Sequence, residues 1–143
     1  MTCTFFGHRN APEKIEPTLR STLIDLIENQ SVDVFYVGNN GGFDAMVLRQ
    51  LKDLANAYYS ITYNVVIAYM PSNKHEYEAI DYAESILPDG IEAVPKRFAI
   101  DFRNRWMIRR SDYVVTYVTN DIGSNAAKYK KLAEKAGKTV ISL

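Results

Sequence analysis

Apolar positions along this chain follow two patterns that alternate. Short runs dense in β-branched and aromatic residues occupy Thr2–Phe6, Val34–Val37, Asn64–Tyr69, Tyr113–Val118 and Thr139–Leu143, and such runs read as buried strands. Between them the apolar residues recur at the helical period. Leu19, Leu23, Leu26 and Ile27 share one face of a helix that starts at Glu16-Pro17, where proline suits the first turn, and ends near Gln30. Phe43, Val47, Leu51, Leu54, Ala55 and Tyr58 form a second stripe. Ala126, Tyr129, Leu132, Ala133 and Ala136 form the last, closed by Gly137, the residue best suited to a left-handed cap. The stretch from Pro71 to Arg110 is less regular. It predicts a helix from about His75 to Leu87, a turn at Pro88-Asp89-Gly90, and a helix from Phe98 to Arg110 that turns Phe98, Phe102 and Trp106 toward the sheet.

Strands that are nearly continuous in apolar residues and alternate with helices indicate a parallel sheet covered on both faces. With right-handed crossovers, the expected fold is α/β, Rossmann-like and doubly wound, with a mostly parallel sheet of about five strands. A chain of 143 residues, 47% apolar or aromatic, is expected to form one domain over residues 1–143.

Composition narrows the function classes. The formal charge is zero, with 17 basic and 17 acidic side chains, so nucleic acid is not expected as a partner. Cys3 is the one cysteine, and neither it nor His8 and His75 has metal-ligand spacing. No metal site and no cofactor are expected. No apolar stretch approaches the roughly 18 residues that span a bilayer, and the first residues run straight into a strand-like segment without a charged leader. The expected location is cytoplasmic, without a membrane partner.

In an open α/β sheet, ligands bind beyond the carboxyl ends of the strands, where strand order reverses. Three loops qualify: Gly7-His8-Arg9, Gly38 to Asp44, and Thr119 to Asn125. In the second loop Gly38, Asn40, Gly41, Gly42, Phe43 and Asp44 form a strand-to-helix turn whose glycines let backbone approach a ligand and whose helix N–H groups suit a phosphate. The other reading of the paired glycines is tight turn geometry alone. Asp44 either favours the helix dipole or holds a ribose hydroxyl or activates water. Arg9 is either a surface arginine or a fork for phosphate or carboxylate, and His8 either bonds the loop backbone or orients a ligand. Gly123, Ser124 and Asn125 make a second anion cradle or simply cap the last helix. Tyr69 and Tyr117 end their strands where a base could stack. The segment Arg103–Asp112, four arginines interleaved with the apolar face of Phe98, Phe102 and Trp106, is expected to pack that face on the sheet; single-stranded nucleic acid held by its mixed basic and aromatic groups is the lesser alternative on a neutral domain.

Several of these segments together carry a family resemblance: Cys3-Thr4-Phe5-Phe6-Gly7-His8-Arg9, Gly41-Gly42-Phe43-Asp44, Arg103-Asn104 with Met107, Ser111-Asp112, and the loop around Gly123. In this order they resemble the YpsA-like branch of the SLOG superfamily, Rossmann-like proteins related to LOG and Smf/DprA. The resemblance covers nearly the whole chain. It implies binding or sensing of a nucleotide or nucleotide-derived molecule, ADP-ribose-like ligands included, and assembly into homo-oligomers. The LOG relatives are phosphoribohydrolases that use a Pro-Gly-Gly-x-Gly-Thr-x-x-Glu motif. This chain departs there: between Asp121 and Tyr129 it has one glycine, no Gly-Thr pair and no acidic residue in the expected place after Gly123.

The leading expectation is therefore a ligand sensor, with phosphate on the Gly41-Gly42 turn, Arg9 as counter-charge, Asp44 on a ribose hydroxyl, and Ser124 and Asn125 clamping the far side. One alternative is an N-glycosidic hydrolase of nucleoside monophosphates, with Asp44 and His8 as its catalytic pair. Another is a protein-interaction module whose pocket is vestigial.

Overall fold

The computed structural model describes residues 1–70, 84–119 and 124–143. Six strands, β1 (Thr2–Gly7), β2 (Val34–Val37), β3 (Thr62–Val66), β4 (Ser85–Ile86), β5 (Tyr113–Tyr117) and β6 (Thr139–Ser142), form one sheet in the order β4-β3-β2-β1-β5-β6. Every pairing is parallel. The described residues also form four α-helices: α1 (Glu16–Asn29), α2 (Gly42–Ala57), α3 (Lys96–Arg110) and α4 (Asn125–Lys135). This is an α/β Rossmann-like fold.

Alternation along each strand divides the core in two. Phe5, Phe35, Val37, Val65 and Val115 turn to the face covered by Leu19, Leu23 and Leu26 of α1 and by Phe43, Met46, Val47, Leu51 and Leu54 of α2. Their neighbours Phe6, Val66 and Val114 turn to the opposite face, covered by Trp106 and Met107 of α3 and by Tyr129 and Ala133 of α4. Helices therefore cover both faces, as right-handed crossovers on either side of β1 require.

Three details differ from the sequence reading. The sheet has six strands rather than about five. The additional strand, Ser85–Ile86, falls at the end of the helix expected over 75–87, the rest of which lies outside the described residues. Pairing explains the difference: the Val65 amide donates to the Glu84 carbonyl at 2.7 Å and the Ile67 amide to the Ile86 carbonyl at 3.0 Å, and local periodicity cannot register an unpaired strand edge. Second, β3 starts at Thr62 and ends at Val66, so Tyr69 lies beyond the strand. Third, α3 starts at Lys96, and its buried stripe runs through Ala99, Arg103 and Met107, leaving Phe98 52% exposed.

Candidate functional site

From β1 the chain moves outward through β2 and β3 to β4, then returns to place β5 on the other side of β1. Strand order reverses between β1 and β5, and there the loops diverge to leave a crevice. A cleft of about 460 Å³ opens at this point. Its floor includes Phe6, Gly7 and Met107; His8 and Arg9 come from the loop after β1, Asn40 and Asp44 from the entry to α2, Asp101, Arg103 and Asn104 from α3, and Asn125 and Tyr129 from α4.

The first loop is held by its neighbours. His8 Nε2 accepts the Thr119 backbone N–H at 2.9 Å, linking the loops after β1 and β5, and its ring meets Tyr117 edge-on at 5.7 Å. An accepting Nε2 leaves the proton of the neutral ring on Nδ1. Tyr117 also stacks on Phe43, with centroids 6.3 Å apart, so this strand-end tyrosine is tied into loop packing. Gly7 lies against Phe43: a Cβ there would come within 2.4 Å of the ring. Arg9 is exposed, with no side-chain partner among the described residues.

The glycines of the second loop have a role in packing. Gly41 adopts φ +99°, a region that disfavours side chains. The Gly42 amide donates to the Arg9 carbonyl at 2.8 Å, and a Cβ on Gly42 would meet that oxygen at 2.4 Å. The turn is thus docked on the backbone of the first loop, and the Gly42 N–H expected to face a phosphate is already engaged. Gly38 lies deeper, where a Cβ would be 2.9 Å from Asp44 Oδ2 and 3.3 Å from the Arg103 guanidinium.

Arg103 organises the floor of the site, although sequence reasoning gave it no place among the ligand-binding residues. It is 2% exposed. Its Nε donates to Asn104 Oδ1 at 2.8 Å, Nη1 to Asn39 Oδ1 and the Val66 carbonyl, both at 3.0 Å, and Nη2 to Asn40 Oδ1 at 2.8 Å. One guanidinium therefore fastens the β2–α2 loop to the end of β3 and to α3. Asp44 Oδ2 accepts the Asn40 N–H at 3.0 Å in the same cluster. Desolvation pushes the Asp44 carboxyl up to about 6, opposed by that hydrogen bond and by the Arg103 charge. The available signal was an arginine at a four-residue step between Ala99 and Met107, on the stripe that packs inward.

On the far wall Asp101 joins two helices: Oδ1 accepts from Tyr129 Oη at 2.7 Å and from Lys128 Nζ at 3.2 Å, and Oδ2 from Arg105 Nε at 2.9 Å. Burial, reinforced by this bond to Asp101, pushes the Tyr129 phenol up to about 12. Ser124 caps α4, its Oγ accepting the Ala127 N–H at 3.1 Å, and Asn125 faces the cleft. Gly123 lies outside the described residues.

Of the residues singled out in the sequence, the cleft brings together Gly7, His8, Arg9, Asn40, Asp44 and Asn125. Gly38, Gly41, Gly42, Phe43 and Ser124 do not line it; the first four pack against the lining residues Asp44, Arg103, Arg9 and Gly7. Among the described residues, no group of three or more His, Cys, Asp or Glu could hold a metal ion, and no helix is long and apolar enough to cross a membrane.

No protein-family model matches the sequence, and no curated protein does so either. Among solved structures, the fold resembles that of DNA processing protein A from Helicobacter pylori, described for its single-stranded DNA binding mode. The TM-score is 0.67 at 16% identity, over 99% of this chain and 64% of the other. This chain thus spans somewhat under two thirds of that neighbour's length, and the likeness shows a shared Rossmann-like fold. It also corrects one expectation. Zero net charge argued against a nucleic-acid partner, yet a protein of this same fold binds single-stranded DNA. The weakness lay in summing charge over the whole chain. From Lys96 onward eleven basic side chains stand against four acidic, whereas before Lys96 six stand against thirteen. The two helices on one face of the sheet, α3 and α4, both belong to the basic part.

Proposed function

We propose that this protein binds a phosphorylated nucleoside, or one nucleotide unit of a longer ligand, in the cleft between the ends of β1 and β5. The observation that carries the proposal is the convergence of polar groups from two loops and two helices on a cleft of about 460 Å³ at the reversal of strand order. Arg9, exposed and without a partner among the described residues, supplies the counter-charge for phosphate. Asn125, in the first turn of α4, adds amide groups beside the positive end of that helix. Asp44 is the acceptor for a ribose hydroxyl. Gly41 and Gly42 set the position of Asp44 by docking on the Arg9 backbone. The resemblance to YpsA-like SLOG proteins supports this assignment and extends it to a sensing role in a homo-oligomer.

Single-stranded nucleic acid as the source of that nucleotide is a second reading, favoured by a specific observation. On the basic side of the sheet, cations lie over aromatic rings: Lys96 over Tyr69 at 4.7 Å, Arg97 over Phe98 at 4.8 Å, Arg110 over Trp106 at 4.5 Å and Lys128 over Tyr129 at 5.2 Å. Phe98 and Tyr69 are exposed, and basic and aromatic groups together are what a single strand requires.

The test is thermal stabilisation of the protein by nucleoside monophosphates, ADP-ribose, NAD and short oligonucleotides, with the products examined by chromatography. A ligand at a hundred times its Kd adds about 2.7 kcal/mol. A rise in Tm with intact ligand, lost in Arg9→Ala, is the expected result. Release of free base would instead favour the hydrolase, with Asp44 and His8 as the residues to substitute next, and no rise with any of the compounds would overturn the proposal.

A further inference from the structure

A second groove of about 460 Å³ lies on the outer side of α4, bordered by Ser124, Asn125, Lys128, Lys131, Leu132 and Lys135. It meets the cleft at Asn125, which lines both. Lys128, Lys131 and Lys135 are spaced three and four residues apart, so their exposed side chains rise along one helical face over about 10 Å. Only Lys128 has an acidic partner among the described residues: it donates to Asp101, which is itself shared with Arg105. On the opposite face of the sheet, charges on α1 and α2 pair instead, Arg20 with Asp53 at 2.6 Å and Arg49 with Glu16 at 2.8 Å. The lysine row is therefore a local excess of positive charge that begins at the mouth of the nucleotide cleft.

We infer that this groove is a second, phosphate-binding subsite, so that the ligand of the cleft carries a chain of phosphate groups that leaves past Asn125 and follows Lys128, Lys131 and Lys135. The inference rests on the nucleotide reading of the cleft and specifies the ligand as more than a nucleoside monophosphate. Ammonium groups on flexible stems suit such a path, since they attract phosphates without fixing one geometry. Leu132 between them leaves room for sugar or methylene. Two sources share this chemistry, a nucleoside polyphosphate and a single-stranded oligonucleotide.

The experiment compares the wild-type protein with the double variant Lys131→Gln/Lys135→Gln, titrating each with adenosine monophosphate, adenosine triphosphate and a ten-nucleotide deoxythymidine strand. Both side chains are exposed and outside the cleft, so melting temperature should be unchanged. The expected result is unaltered affinity for the monophosphate and about tenfold weaker binding of the triphosphate, the strand or both, the affected probe naming the source. For the strand, the slope of log K against log salt should also fall by about 1.4, two lost phosphate contacts at about 0.7 each. Equal affinities in the two proteins for all three probes, or equal loss for all three, would overturn the subsite. Failure of the cleft reading is distinct: the monophosphate would not bind the wild-type protein, whereas a strand weakened by the double variant would leave the groove standing. Binding of none of the probes would overturn both.

Discussion

At the scale of single residues, the site combines side chains that are unfavourable where they stand with neighbours that compensate them. Asp44 is the clearest case. Its carboxyl is pushed up to about 6, first by desolvation, against about 3.9 in an unfolded chain. The folded state then binds this proton more tightly than the unfolded state, so its contribution favours folding below about pH 4 and is lost as pH rises through 6. A shift of this size corresponds to about 3 kcal/mol at neutral pH. Asp44→Asn keeps an oxygen for the Asn40 N–H and removes the charge. Denaturant titrations should show the variant more stable than wild type at pH 7, by up to about 3 kcal/mol, with the two converging near pH 4. A less stable variant at pH 7 would mean that the Arg103 charge outweighs desolvation. A carboxylate kept in place at such a cost is what a group serving a ligand would be.

At the scale of elements, the strand-to-helix loops are positioned by the helices beneath them. Arg103, from the middle of α3, reaches Asn39 and Asn40 of the β2–α2 loop and the carbonyl of Val66 at the end of β3. Arg103→Met would fill similar space but leave those acceptors without their donor in a buried setting. It should cost about 3 to 5 kcal/mol, as removal of one member of a buried charged network does, while Arg105→Met on the exposed side of the same helix should change stability by less than about 1 kcal/mol. Equal losses in thermal unfolding would show that the Arg103 network does not hold the loop.

The same elements show what the sequence made legible. The runs at Thr2–Phe6, Val34–Val37 and Tyr113–Val118 correspond to strands because both faces of a parallel sheet are buried, and an apolar run records that directly. The loops at the reversal point followed from strand order, and the cleft lies where they meet. Less local features were hidden. Ser85–Ile86 is a strand because β3 has an edge to pair, a fact about another segment. Arg103 is part of the buried stripe of α3, where the apolar residues Phe98, Phe102 and Trp106 mark a different packed face; its partners Asn39, Asn40 and Val66 are far away in sequence. The docking of Gly42 on Arg9 is likewise a contact between loops, and the Gly-Gly pair alone serves equally for tight packing and for phosphate.

At the scale of the whole molecule, a neutral chain proves to be divided in charge: the sequence before Lys96 is acidic and that from Lys96 onward basic. Folding gathers α3 and α4 on one face of the sheet and α1 and α2 on the other, so the described helices form a basic side and a charge-paired side. The cleft opens at the edge of this sheet, between its two halves, with Arg9 on one rim and Asn125, leading to the lysine row, on the other. Such a distribution would favour the approach of the proposed anionic ligand from the basic side without a net charge on the molecule.

Whether nucleotide binds between the ends of β1 and β5 can be decided by amide chemical-shift mapping with adenosine monophosphate. Saturable shifts are expected at Gly7, His8, Arg9, Asn40, Asp44, Asn104 and Asn125, with the outward faces of α1 and α2 unchanged. No shifts at millimolar nucleotide, or shifts confined to residues away from the ends of β1 and β5, would contradict binding there.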